Sequence, residues 1–392
     1  MIASHLLDPP EAVEMSPRSR FAPEAVTRTP GRCPPVQPVA VPPLPIVRGQ
    51  SHRSRRTCRG GIMKRELSEA ASPVPLVDLA PWFDGGQLDR TEVARSVDQA
   101  LQTSGFLLVA NHRVPPAILA SAREAALEFF SLPHSDKRAL AIGPDAYRGW
   151  AALGTEATAA SYGVATLPDL RESFTIGPID RPDDDYHRRG GPVFAPNRWP
   201  PSLPRFEDVW LTLYRSFEAL AETMLRVMEA TLALQPGDLV DACRRHTTQM
   251  VANYYPAGRG VTAEPGRYRV GPHTDFGTFT ILDRQPGVGG LQVQLCDGTW
   301  ADAPWIPGTL TVNTGDLMAL WSGYRWTSTR HRVLPPSVTA PDEELLSLIF
   351  FHEPDHDAVI RALAAPDGVA APDTTVVASD YLREKLDAMV LK

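Results

Sequence analysis

The chain has 392 residues and a formal net charge of −7 at pH 7. An acidic chain exerts no overall attraction on a phosphate backbone, so its composition argues against DNA or RNA as a partner. No apolar stretch in the sequence is long enough to cross a bilayer, which argues against a membrane partner.

Residues 1–62 differ in composition from the rest of the chain. They hold 11 prolines and nine arginines, but no lysine and only four acidic residues. Such a segment buries too little apolar surface to offset the entropy lost on ordering, so we expect a disordered tail. Arg59-Gly60-Gly61 stands just before Met63, and a purine-rich coding stretch can encode that tripeptide. We therefore hypothesise that translation starts at Met63.

Cysteine usage indicates the compartment. The four cysteines are Cys33, Cys58, Cys243 and Cys296, and they form neither a Cys-x-x-Cys pair nor a regular framework. This pattern is typical of a reducing environment, so we expect a cytoplasmic protein without disulfide bonds.

Residues 63–245 are predicted to form a helical and mixed region that packs on a core. Apolar residues recur at helical spacing within 91–103 and within 116–131. The longest such run extends from Phe206 to Met228, with charged residues between its apolar positions. This pattern predicts a long helix that backs a sheet.

Residues 246–363 follow a different pattern. Short apolar stretches between 248 and 352 are separated by turns rich in Gly, Pro and Asp. An antiparallel sandwich or barrel has this signature, and we expect a mostly β core with flanking helices. Residues 364–392 are expected to form a C-terminal segment that is partly helical.

The tripeptide His273-Thr274-Asp275 and the distant His331 are the residues most indicative of chemistry. Successive side chains of a strand point to opposite faces, so His273 and Asp275 project the same way. His331 lies in a second β-prone stretch, which a fold can bring alongside the first. Two imidazoles and one carboxylate can cap one face of an Fe(II) ion and leave the opposite face open.

Several ordered blocks of the sequence resemble one known family. In the core they are GPHTDFGTFTIL at 271–282, GGLQV at 289–293, DGTW at 297–300, PGTLTVNTGD at 307–316 and HRV at 331–333. Upstream they are PLVDL at 75–79, GFLLV at 105–109, the Asn-His pair at 111–112 and NYYP at 253–256. Together they resemble the isopenicillin N synthase-like family of Fe(II) and 2-oxoglutarate-dependent oxygenases.

This resemblance implies a fold, a ligand set and a reaction. The fold would be a double-stranded β-helix, or jelly roll, backed by helices, with Fe(II) held by His273, Asp275 and His331. The chain would use 2-oxoglutarate and O₂ to hydroxylate or desaturate a small organic substrate. We expect it to act as a monomer.

The 2-oxoglutarate subsite departs from the family pattern. Relatives usually place an Arg two residues before a Ser on a late strand, and here Leu345 stands where that Arg would be, before Ser347. Losing a charged partner for a buried carboxylate costs about 3–5 kcal/mol, so the cation must come from elsewhere if 2-oxoglutarate binds normally. Arg284 is the candidate for a relocated cation, and Asn253 and Tyr255 match positions that often contact the oxo acid.

Three residues are candidates for contact with the substrate. Arg148 or Arg171 could hold a substrate carboxylate, because a guanidinium matches that group in geometry. For Arg171, within Leu-Arg-Glu-Ser-Phe, a structural ion pair is the stronger expectation. Phe351 is a candidate for apolar contact with the substrate, although packing of the barrel is the simplest explanation for it.

Two alternative functions remain open from the sequence. One is an Fe(II) oxidase that needs no 2-oxoglutarate and draws its electrons from the substrate, as in the cyclisation by isopenicillin N synthase. Leu345 favours this interpretation. The other is a non-catalytic jelly-roll binding protein, metal-free or loaded with Zn, against which the intact His273, Asp275 and His331 argue.

Overall fold

The structure is a computed structural model that describes residues 72–143, 147–162, 166–257, 266–288, 290–363 and 374–389. The tail expected at 1–62 lies outside the described residues. No helix in the described ranges combines the length and apolar character that crossing a bilayer requires.

Helices surround the core on several sides. The α-helices are α1 (Ala80–Asp84), α2 (Gln87–Thr103), α3 (Pro116–Phe130), α4 (His134–Arg138), α5 (Asp185–Gly190), α6 (Phe206–Thr231), α7 (Asp316–Trp321) and α8 (Ala378–Met389). Short 3-10 turns cover Thr158–Tyr162, Gly191–Phe194 and Asp241–Cys243.

The strands are short, as the spacing of turn residues predicted. They are β1 (Leu76–Asp78), β2 (Phe106–Ala110), β3 (Gly149–Ala151), β4 (Glu172–Ile176), β5 (Gln249–Tyr255), β6 (Val270–His273), β7 (Phe279–Arg284), β8 (Leu291–Gln294), β9 (Trp300–Asp302), β10 (Leu310–Thr314), β11 (His331–Val333), β12 (Leu345–His352), β13 (Val359–Ile360) and β14 (Val376–Val377).

Two sheets form the core. The large sheet has eight strands in the order β1-β2-β10-β7-β12-β5-β4-β3, and the small sheet has four in the order β6-β11-β8-β9. Apart from the parallel pair β1 and β2, the pairings in both sheets are antiparallel. Residues of both sheets line one cavity. The prediction of a mostly β jelly roll with flanking helices is confirmed, and strands from 63–245 and from 246–363 share the large sheet.

Strand alternation gives the large sheet two different faces. On β12, Leu346, Leu348 and Phe350 join the main hydrophobic core on the helix side. The intervening residues Ser347 and Ile349 line the cavity instead. Because side chains alternate along a strand, one set stabilises the fold and the other is available for chemistry.

Helix α6 is the predicted backing helix. Its apolar stripe is buried, and Phe206 and Trp210 stack with ring centroids 4.6 Å apart. Phe174 of β4 meets Trp210 edge-on at 5.4 Å, which anchors the sheet on the helix. Full burial of each such side chain contributes about 1.5–3 kcal/mol.

The start of α2 differs from the prediction. The apolar repeat within 91–103 predicts a helix that begins near residue 91, but α2 begins at Gln87. Asp89 is the third residue of the helix, and its carboxylate accepts a hydrogen bond from the backbone N–H of Gly86 at 2.8 Å. An acidic side chain in this position satisfies an exposed N–H at the helix start, so the helix extends one turn further back.

Candidate active site

The three predicted metal ligands meet at the edge of the small sheet. His273 ends β6 and His331 begins β11, and the two residues face each other in the antiparallel register. The Nε2 atoms of both histidines lie 3.6 Å from Oδ1 of Asp275. One ligand atom from each of the three buried residues lies within 4.8 Å of the other two. This spacing suits a single divalent ion bound on one side.

Hydrogen bonds orient each ligand toward that shared point. The Nδ1 atom of His273 lies 2.8 Å from the carbonyl oxygen of Gly271, and Nδ1 of His331 lies 3.1 Å from that of Thr329. Carbonyl oxygens only accept, so each Nδ1 carries the proton and each Nε2 keeps its lone pair for a metal. The ring orientation and the tautomer are therefore both set before a metal binds.

The carboxylate of Asp275 is held in the same way. Its Oδ2 accepts hydrogen bonds from the side-chain amide of Asn313 at 2.7 Å and from the hydroxyl of Thr280. These bonds leave Oδ1 directed at the two imidazoles. Neither donor was predicted from the sequence, since their approach depends on the pairing of β10 with β7.

Burial and neighbouring charges shift the pKa values of two of the metal ligands, Asp275 and His331. Burial opposes ionisation of Asp275, but the neighbouring His331 and His273 outweigh it and lower the pKa of the carboxyl. Burial, together with repulsion from His273, lowers the pKa of His331 to about 4. At neutral pH the site thus offers an ionised carboxylate and a neutral imidazole at position 331, the forms that bind a metal.

The triad opens onto one cavity that also collects most of the predicted site residues. Asn253, Tyr255, Ser347, Arg284, Arg171 and Phe351 line it. Five of them come from β5, β7 and β12 of the large sheet, and Arg171 is the residue just before β4. All six lie on the face turned away from α6. Leu345 lines the cavity as well, so no cation occupies the position at which the family pattern led us to expect an Arg.

Arg284 is a cation without an acidic partner in the described part of the chain. Its side chain donates to the carbonyl oxygens of Ala303, at 2.8 Å, and Pro304, and Nε is buried without a hydrogen bond. Burial lowers the pKa of its guanidinium to about 10. In the register of β7 and β12, Arg284 is directly opposite Ser347.

Arg171 makes the structural ion pair that its sequence context favoured. Its guanidinium lies 3.1 Å from the carboxylate of Glu156 and 3.7 Å from that of Asp169. It also donates to the side-chain oxygen of Asn253 at 2.9 Å. Two carboxylates already balance its charge, so Arg171 is poorly suited to hold a third.

Arg148 is placed differently from the expectation. It is 0% exposed and does not line the cavity. Its guanidinium donates to the backbone carbonyls of Tyr147 and Val193 and lies so close to Gly177 that a Cβ there would overlap it. The buried side chain of Arg148 links the backbone at Tyr147 to the backbone at Val193. The structure therefore gives no support to the predicted contact with substrate.

Several residues of the cavity wall were missed by sequence reasoning. Leu382, Leu386 and Met389 reach it from α8, and Glu353 reaches it from the residue after β12. Strand alternation from Phe351 could have indicated Glu353. No local signal marks the residues of α8, because their role depends on where the C-terminal helix packs.

Comparison with known proteins agrees with this geometry. Residues 74–202 match the family described as non-haem dioxygenase in morphine synthesis N-terminal, and residues 246–354 match the 2OG-Fe(II) oxygenase superfamily. The chain is 39% identical over 314 residues to Validamycin A dioxygenase of Streptomyces hygroscopicus subsp. limoneus, covering 80% of this chain and 85% of the relative. It is 32% identical over 276 residues to Proline hydroxylase buaE of Petromyces alliaceus, covering 68% of this chain and 82% of the relative.

Solved structures show the same relationship. A full-length Neurospora crassa protein, crystallised in complex with alpha-KG and thymine, superposes with a TM-score of 0.69 at 27% identity, covering 82% of this chain and 98% of that one. The donor set of the triad fits Fe(II). A further relative, 28% identical over 299 residues and covering 75% of this chain and 83% of the relative, is named 2-oxoglutarate-Fe(II) type oxidoreductase hxnY of Emericella nidulans. The chain therefore belongs to the 2OG-Fe(II) oxygenase superfamily and is an Fe(II)- and 2-oxoglutarate-dependent dioxygenase.

Proposed function

We propose that this enzyme hydroxylates a small organic substrate and holds the distal carboxylate of 2-oxoglutarate with Arg284 and Ser347. The observation that carries the proposal is the state of Arg284, a half-buried cation that lines the cavity with no acidic partner among the described residues and with its Nε atom fully buried. A desolvated guanidinium is costly unless an anion joins it. A carboxylate of the co-substrate is the natural anion here.

The position of Arg284 allows it to take the role of the Arg that the family pattern places at position 345. Leu345 and Ser347 both face the cavity from β12, and Arg284 faces Ser347 from the neighbouring β7. A cation on β7 can therefore serve the same carboxylate as a cation on β12 would. Leu345 then forms an apolar part of the cavity wall and excludes water from the ion pair between Arg284 and the carboxylate. The lower local dielectric strengthens that ion pair.

Asn253 and Tyr255 are proposed to contact the oxo-acid end. The side-chain oxygen of Asn253 is engaged by Arg171, so its amide N–H groups are the ones left to donate. Arg171 thus acts by positioning Asn253.

The triad of His273, Asp275 and His331 would hold Fe(II), and when bound the metal would supply O₂ activation coupled to oxidative decarboxylation of 2-oxoglutarate. The chain itself fixes the orientation of the ligands through Asn313, Thr280 and the two backbone carbonyls. Apolar residues of both sheets keep water from the reacting groups. They are Phe106, Leu282, Leu291, Val333 and Leu345.

Validamycin A is the first substrate to test, because a relative 39% identical to the chain is named for it. We also propose that the enzyme is cytoplasmic and monomeric. The scattered cysteines support the location. Light scattering on the purified protein tests the oligomeric state.

The decisive experiment measures succinate. The protein is loaded with Fe(II) and 2-oxoglutarate without oxygen, O₂ is admitted, and succinate is quantified with and without substrate. Succinate formation that is lost in His273→Ala supports the function, and its absence from the wild type would reject it.

Two variants test the proposed binding of the 2-oxoglutarate carboxylate by Arg284 and Ser347, one that removes the cation and one that restores it. Arg284→Leu should raise the KM for 2-oxoglutarate by about 100-fold or more, as expected when ~3–5 kcal/mol of ion pairing is removed. The double variant Arg284→Leu with Leu345→Arg returns a cation to the position used by relatives and should recover much of that loss. An unchanged KM in Arg284→Leu would place the pocket elsewhere.

A further inference from the structure

Glu353 is a buried acid of the cavity that the proposed chemistry does not use. It is 8% exposed and lines the same cavity as the metal ligands. Its Oε2 atom is buried without a hydrogen-bond partner in the described part of the chain. Leaving a buried polar atom unsatisfied costs about 1–3 kcal/mol, which a protein recovers when a ligand provides the partner.

The carboxyl group of Glu353 lies against the loop that carries Asp275. A Cβ on Gly277 would lie 2.3 Å from Oε2 and 2.6 Å from Oε1 of Glu353, so the carboxyl rests directly on the backbone of that glycine. Gly277 follows Asp275 by two positions. A ligand group held by Glu353 would therefore sit beside the metal ligands.

A second polar side chain accompanies Glu353. Gln249 of β5 lines the cavity and is opposite Phe351 of β12 in the sheet register. Glu353 lies two residues after Phe351 and faces the cavity in the same way as the alternate residues of β12. Its backbone N–H donates to the hydroxyl of Thr248 at 3.1 Å, which keeps the two chain segments together. Glu353 and Gln249 thus face the same end of the cavity.

The charges around Glu353 favour a cation. Burial and the negative charges of Asp275 and Asp316 raise the pKa of its carboxyl well above the ordinary value. A nearby positive charge favours the ionised form of a carboxyl, so an ammonium group that enters the site displaces this proton to solvent and pairs with the carboxylate. Arginine supplies the cationic lining in the described ranges: Arg171 is neutralised by Glu156 and Asp169, and Arg284 is assigned to 2-oxoglutarate. A substrate carboxylate would find no available partner.

We propose that Glu353, assisted by Gln249, binds an amino group of the substrate, so that the enzyme acts on a small amine and not on a carboxylic acid. This inference rests on the proposed function, because bound metal and 2-oxoglutarate define where the substrate lies. The ammonium group donates hydrogen bonds to the Glu353 carboxylate and to the side-chain oxygen of Gln249. The carbon beside or near the amine is thereby presented to the metal.

The test uses three probes that share one ring and differ in the polar group: cyclohexylamine, cyclohexanol and cyclohexanecarboxylate. The full chain is loaded with Mn(II) and 2-oxoglutarate, and paramagnetic relaxation of the probe protons gives both affinity and proximity to the metal. We expect cyclohexylamine to bind about tenfold more tightly than cyclohexanol, as a charge-assisted hydrogen bond provides. Cyclohexanecarboxylate should bind most weakly.

Glu353→Gln keeps the size of the side chain and removes its charge. It should lower the affinity for cyclohexylamine about tenfold and leave that for cyclohexanol within about twofold. Glu207→Gln, which removes one charge from an exposed position of α6, is the matched control and should change neither.

The outcomes separate this inference from the proposed function. Relaxation of the 2-oxoglutarate protons by Mn(II) reports the metal and co-substrate site independently of the probes. If those protons relax normally but cyclohexanecarboxylate binds best, or Glu353→Gln leaves the amine preference intact, the amine subsite is rejected and the oxygenase assignment stands. If Mn(II) does not relax the 2-oxoglutarate protons, the metal and co-substrate do not share the cavity. The proposed function is then rejected, together with the amine subsite that rests on it.

Discussion

Tyr381 of α8 donates a hydrogen bond of 2.7 Å to the carboxylate of Asp316. The same carboxylate accepts from the hydroxyl of Thr274, which stands between the metal ligands His273 and Asp275. One acidic side chain therefore ties the C-terminal helix to the ligand loop. The helix in turn provides part of the cavity wall.

Tyr381→Phe should loosen α8 without disturbing the metal ligands directly. Loss of this partly buried hydrogen bond to a charged group costs up to about 1.5–3 kcal/mol locally. We expect faster hydrogen exchange in residues 378–389 and a several-fold higher KM for substrate, with substrate-independent succinate formation little changed.

The matched control is Tyr324→Phe, since the side chain of Tyr324 is exposed. Equal exchange rates in residues 378–389 of both variants would show that the Tyr381 hydroxyl does not hold the helix.

Asn313 should matter for metal affinity. Its amide fixes Oδ2 of Asp275, and partners of this kind typically change metal affinity about 10- to 100-fold when removed. Asn313→Ala is therefore expected to weaken Mn(II) binding by about that factor, measured by titration calorimetry on the apo protein. Gln102→Ala, at an exposed position of α2, is the control. Unchanged affinity in Asn313→Ala would mean that Asp275 keeps its orientation without the amide.

The metal ligands could be predicted from the sequence because two simple rules suffice. The period of a strand places His273 and Asp275 on one face, and the paired β-prone stretches bring His331 alongside. The stripe of α6 was equally accessible, since amphipathic periodicity is local information.

Other parts of the site depend on contacts that no local pattern records. Arg284 could be named as a candidate, but its position opposite Ser347 follows from the register of β7 and β12. The side chains that α8 contributes to the cavity depend on how a distant helix packs. Arg148 was a candidate for contact with a substrate carboxylate, and only the fold shows that Gly177 and two backbone carbonyls enclose it.

Asp98 should make stability depend on pH. Burial opposes its ionisation, but hydrogen bonds from Arg325 and Trp326 dominate and lower its pKa below the ordinary 3.8. The ionised form therefore stabilises the fold above that value, and the contribution is lost as the pH falls through the lowered pKa. Asp98→Asn should reduce the free energy of unfolding by about 1–2 kcal/mol at pH 7.

The check is urea denaturation of the wild type and Asp98→Asn between pH 7 and pH 3. The difference between the two proteins should shrink toward the acid end. A constant difference over this range would contradict the role of the charge.

Gly277→Ala offers a second route to the amine subsite, because it moves the Glu353 carboxyl without removing it. The new methyl group would occupy the space of both carboxyl oxygens, and the flexible end of Glu353 must shift to make room. Mn(II) should still bind, since Gly277 lies outside the ligand set, while the preference for cyclohexylamine over cyclohexanol should fall several-fold. A variant that keeps this preference would show that the carboxyl need not rest on Gly277 to bind the amine, and the placement of the amino group beside the ligand loop would then be wrong.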